Sequence, residues 1–229
     1  MKTLCVIQHT EAEYLGLMED HFEGRNIRFN YHRPFAAGGT IPSGIEGFDG
    51  LMLLGGGPYG IVSGHMLPSM LPELKLTKAF LDAGLPVIGC ELGALIVAVA
   101  AGGGADEAPL RFPVGEATAT ARGREAFDLP ERFSYAAYLR DKPVLPANAE
   151  IIAADEAGAP LAFTLGDKAA GFLHHPGAKR GMIEDLIMEF EDTPPDTAQS
   201  LDALGRAQAN IAETLTGFMV GFCRFAGLA

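Results

Sequence analysis

Residues 85–103, LPVIGCELGALIVAVAAGG, hold one charged side chain, a glutamate near their centre. Pro86 to Cys90 reads as a strand and the residues after Leu92 as a helix, both apolar all round. Such elements must be covered on every side, which points to a parallel strand inside an α/β sheet and a helix buried against it. The pivot between them, Gly89-Cys90-Glu91-Leu92-Gly93, has the G-x-Nu-x-G form of a nucleophile elbow. Small residues two positions to each side let the backbone turn sharply there.

Flanking patterns extend the same architecture. Thr3 to Gln8 reads as a first strand, and a polar helix is expected over roughly Glu13 to Glu23 with Leu15, Met18 and Phe22 on one face. A short strand near Ile27 to Tyr31 and a Gly/Pro-rich loop over 32–48 follow. Leu51 to Leu54 is another apolar strand, ending in Gly55-Gly56-Gly57-Pro58-Tyr59-Gly60. The next helix has Pro72 in its first turn and Gly84 beyond its end. From Leu110 to Phe172 short strands such as 117–121, 151–154 and 161–165 predict an antiparallel extension without a separating linker. A helix near Gly181 to Glu191 and a final helix close the chain. The stripe of Leu201, Leu204, Ile211, Leu215, Phe218, Phe222 and Phe225 on the last helix is expected to be core. One domain over 1–229 is expected.

A formal net charge of −12 argues against a nucleic-acid partner. The longest uncharged apolar run, Leu92 to Ala105, is too short to span a bilayer. The three cysteines lack metal-type spacing, and the first residues enter a strand directly, so a reduced, cytoplasmic protein without metal or cofactor is expected.

Three features bear on chemistry. At the pivot, the helix N-terminus offers free N–H groups and partial positive charge, a field that suits the Glu91 carboxylate as a functional group or as a simple cap. Cys90 should face the other side of the strand as a core thiol. The glycine turn at 55–60 presents backbone amides able to hold an anion. Near the end of a later strand, His174 and His175 point to opposite sides, so one can reach the cleft at the strand tips.

In order and spacing these pieces resemble the class I glutamine amidotransferase family, in particular its small stand-alone members. Gly56-Gly57-Pro58 is similar to the family's GGP loop, Gly89 to Gly93 to its G-x-C-x-G elbow, and His174-His175-Pro176-Gly177 to its H-P-E segment. The resemblance covers roughly residues 3–180. It implies a flavodoxin-like, mostly parallel sheet with helices on both faces and an antiparallel extension. It also implies oxyanion-type backbone amides at Gly57 and Leu92, beside Gly56.

The same alignment puts Glu91 at the nucleophile position, Gly177 at the triad acid and Leu95 where the family has a glutamine; only His175 remains. A carboxylate attacks an amide far more poorly than a thiolate, so ordinary glutaminase activity is not expected. A Glu91–His175 ion pair closing the cleft is expected instead; whether a carboxylate elsewhere, such as Glu116 or Asp155, replaces the missing triad acid stays open at this point. Three readings follow: a protein binding a small amide or carboxylate ligand, a synthase or a second copy of itself; an enzyme using Cys90 or Glu91 with His175; or an interaction module whose last helix packs on a partner.

Overall fold

The computed structural model describes residues 1–228. Nine strands form one sheet. β1 (Thr3–Ile7) lies between β2 (Arg28–His32) and β3 (Gly50–Leu53), and β4 (Val87–Cys90) joins β3. These four are parallel, and β11 (Ala169–Phe172) adds a fifth parallel strand beside β4. Four antiparallel strands continue outward from β11: β10 (Pro160–Leu165), β9 (Ala149–Asp155), β6 (Val114–Ala119) and β7 (Arg132–Ala136). A separate two-stranded ribbon pairs β5 (Gly104–Asp106) with β8 (Lys142–Val144).

The fully apolar β3 and β4 are buried on both faces, the reason their sequence shows no alternation. On one face α2 (Met70–Asp82) and α3 (Leu92–Ala100) pack around Ile7, Leu53, Phe80 and Leu95. On the other lie α1 (Met18–Glu23), α4 (Ala121–Phe127) and α6 (Thr197–Phe225), with Phe22, Phe127, Phe172, Phe218 and Phe222 in contact. Fully burying each such side chain contributes roughly 1.5–3 kcal/mol. α5 (Arg180–Glu189) and the first half of α6 enclose a third cluster around Phe112, Tyr138 and Leu186.

Two sequence expectations change, and a third, the buried stripe of the last helix, is met. α1 begins at Met18, not Glu13, so residues 8–17 form a loop over the strand tips. The chain turns there at Gly16, with φ 63°, and Leu17 N–H bonds the Gly177 carbonyl at 3.0 Å. α4 was not legible as a helix; Thr120 caps it by accepting from Gly123 N–H at 3.2 Å. The apolar stripe of α6 faces inward, with Leu204, Ile211, Leu215, Phe218, Phe222 and Phe225 buried, so it is no docking face.

A closed cleft at the strand tips

Glu91 sits between β4 and α3 at φ 52°, ψ −114°, a strained conformation costing about 1–3 kcal/mol. Packing holds it there. A Cβ on Gly89 would lie 2.3 Å from the Gly93 carbonyl oxygen, and one on Gly93 would lie 2.2 Å from that of Leu53. Only glycine at both places lets strand, turn and helix close up this tightly.

The Glu91 side chain does not cap its helix. It is buried, and Oε1 accepts from Tyr138 N–H at 2.6 Å. Its other oxygen, Oε2, turns toward Glu13 from the 8–17 loop. Glu13 Oε1 and Glu91 Oε2 lie 2.2 and 2.3 Å from the place a Gly55 Cβ would occupy, so the pair exists only because residue 55 has none. Glu13 Oε1 and Glu91 Oε2 face each other, buried and without any other hydrogen-bond partner, an arrangement that only a proton on one of them can satisfy, and Glu13 Oε2 accepts from Gly57 N–H. Burial and the Glu91 charge push the Glu13 carboxyl well up. Burial raises Glu91 to about 7, against the opposing pull of Glu13 and the Tyr138 amide. Two buried carboxyls in contact hold one proton between them.

A second pair stands beside the first. His9, just past β1, bonds Glu73 Oε2 through Nε2 at 2.8 Å and the Gly55 carbonyl through Nδ1 at 2.8 Å. Both side chains are fully buried. Burial pulls His9 down, but Glu73, Gly55 and Glu13 outweigh it and the net direction is up. Burial lifts Glu73, yet His9 more than reverses that, so the pair is an imidazolium and a carboxylate.

The expected Glu91–His175 ion pair does not form. His175 Nε2 donates to the Tyr14 carbonyl at 2.8 Å, and Nδ1 accepts from Gly177 N–H at 3.2 Å, which engages both ring nitrogens. Burial lowers His175 to about 4 and His174 to about 3, so both are neutral. Nor does another acid serve His175. Glu116 pairs with Arg132 at the surface, and Asp155 accepts from Ala157 and Ala159 N–H groups in a turn. Gly177 has no room for a side chain, since a Cβ would lie 2.7 Å from the Leu15 carbonyl oxygen.

Cys90 is a core thiol, fully buried and pushed well up by burial and by the Glu91 and Glu13 charges. Leu92 opens α3 and lays its side chain over Gly56, where a Cβ would meet Leu92 Cδ2 at 2.2 Å. Sequence reading thus located Glu91, Gly56, Gly57 and Leu92 around one place. It missed Glu13, Glu73, His9 and Tyr138. Glu73 carried a signal: with Leu76, Thr77 and Phe80 it lies on the buried i, i+3, i+4, i+7 face of α2, where a lone carboxylate requires a partner.

No family model matches the chain, and no curated protein does. Solved structures do. A glutamine amidotransferase from Thermotoga maritima superposes with a TM-score of 0.79 at 22% identity, covering 98% of each chain. One from Methylobacillus flagellatus gives 0.77 at 21%, covering 96% of this chain and 95% of its own. A candidate GMP synthase component from Thermoplasma acidophilum gives 0.61 at 15%, covering 91% and 98%. The chain therefore has the class I glutamine amidotransferase-like fold, an α/β sheet mostly parallel in its first half with helices on both faces.

Proposed function

We propose that this chain retains an amidotransferase scaffold without glutaminase chemistry and acts by binding, with the old elbow cleft filled by its own side chains. The observation that carries this reading is the Glu13–Glu91 carboxyl pair. Glu13 takes the Gly57 amide that an oxyanion would need, and Glu91 stands where a nucleophile would stand. His175 is turned to the Tyr14 carbonyl, away from any role as base. Cys90 is buried and its thiol is pushed up by burial, which speaks against the displaced-thiol reading of an active enzyme. The partner is a small ligand or another protein, a synthase being the kind that the Thermoplasma neighbour's description suggests.

The decisive assay is glutamate release from L-glutamine by the purified chain, beside Cys90→Ala and Glu91→Ala. No release from any of the three is expected. Release that disappears in Cys90→Ala, or in Glu91→Ala, would overturn the proposal and name the group responsible.

A further inference from the structure

At the same edge of the sheet, but on the antiparallel side, a cavity of about 290 Å³ opens where β11 ends, β10 begins and β9 ends. Leu161 and Leu173 form an apolar floor, and Arg111, Tyr135, Lys142 and Asp155 bring polar groups to it. That volume falls near the lower end of small-molecule sites, which run from roughly 300 Å³ upward.

Its polar groups are only partly engaged by the protein itself. The Arg111 side chain is part-buried and donates through Nη1 to the Asp141 carbonyl at 2.9 Å; among the described residues it has no carboxylate partner. Burial lowers its guanidinium, with Asp141 and Tyr135 opposing. The adjacent Lys142 is exposed and also outside every ion pair described. Unused donors on a part-buried arginine are the chemical complement of a carboxylate. Asp155 uses Oδ1 on two backbone N–H groups, leaving Oδ2 free. The Tyr135 ring is buried and its phenol is raised by burial, by Asp155 and by Glu156, while Arg111 opposes, so a neutral hydroxyl lies within the fields of both signs.

We propose that this cavity binds a small dipolar organic acid of amino-acid size. Its carboxylate meets Arg111 and Lys142, its ammonium meets Asp155, and a short apolar side chain lies over Leu161 and Leu173. No part of this depends on the elbow cleft, so glutamine hydrolysis there would leave it standing.

Titration calorimetry of the full chain with L-valine, L-leucine and L-methionine tests it. At least one should bind saturably. The same carbon skeleton lacking the ammonium, 4-methylpentanoate for leucine, should bind roughly ten-fold more weakly or worse. Arg111→Gln and Lys142→Gln should each weaken the amino acid, and Asp155→Asn should weaken it without affecting the ammonium-free acid. Lys142 and Asp155 lie at or near the surface, so those variants report binding even if Arg111→Gln disturbs folding. Saturable binding of none of the three amino acids would overturn the proposal. So would equal affinity for the ammonium-free acid, or binding unchanged in Lys142→Gln and Asp155→Asn.

Discussion

Glu13 and Glu91 meet over the bare α-carbon of Gly55, one oxygen of each turned to the other without a further partner and each carboxyl held by a backbone amide, Gly57 for Glu13 and Tyr138 for Glu91. Burial at this contact favours the protonated form of both groups. In the unfolded chain each carboxyl titrates near 4.5, while in the fold Glu13 is well up and Glu91 stands at about 7. Between those values the folded state holds more protons, so stability falls as pH rises through that window and levels off above it.

Glu91→Gln removes this loss, because a neutral amide can still accept from Tyr138 N–H and donate to Glu13. The variant should match the wild type near pH 5 and exceed it by about 1–3 kcal/mol near pH 8. Thermal unfolding at the two pH values measures this. A wild-type deficit that does not widen with pH would refute the shared proton.

The thiols give a second check. Cys5, Cys90 and Cys223 are all buried, and burial raises each of them, Cys5 to about 12. A thiol reagent such as Ellman's should therefore find no reactive cysteine in the native protein and three after denaturation. Rapid native labelling of Cys90 would return it to consideration as a nucleophile.

His175 tests the cleft from its other side. Its imidazole, bonded to Tyr14 and Gly177, should stay neutral down to about pH 4 by NMR titration, and Glu91→Gln should leave that value unmoved. A drop in the variant would restore the ion pair that the sequence suggested. Because the fold keeps both His174 and His175 neutral, stability should decline as pH falls from the unfolded value of 6.5 toward 4.

His9 and Glu73 form a buried ion pair, and breaking it from one side leaves a bare charge. Glu73→Ala should cost about 3–5 kcal/mol, whereas His9→Phe combined with Glu73→Leu should recover much of that. Since His9 is raised in the fold, its contribution is complete below 6.5 and fades as pH climbs through the folded value. Denaturant unfolding of the three proteins at pH 6 and pH 9 measures both claims; a Glu73→Ala chain as stable as the wild type would remove the charged pair.

Much of the sheet was legible from short apolar runs. Thr3–Ile7, Gly50–Leu53 and Val87–Cys90 lie within a residue or so of the runs that predicted them. Gly84, just past α2, has φ 66°, as its place after the helix implied. The extension strands were found but their ends shifted, as in Val114–Ala119 for 117–121, because the half-buried first residues of that strand carry a weaker pattern than its buried end. The cleft was legible as a location and not as a state. Glu91 and the 55–57 glycines could be placed at one spot from spacing, yet Glu13 looked like part of an amphipathic helix.

By itself, then, the sequence determined the strand–turn–helix around Glu91, the glycine turn beside it and a glutamate in place of a cysteine at the pivot's central position. These depend on neighbours a few residues away, where propensity and periodicity act directly. Only the tertiary structure decided what fills the cleft. Gly177 admits the loop at Leu15 and Gly16, that path carries Glu13 to the Gly57 amide and Tyr14 to His175, and burial then sets which groups hold protons. Each of those outcomes is a contact between residues far apart in the chain, and no local pattern encodes the desolvation that follows from it.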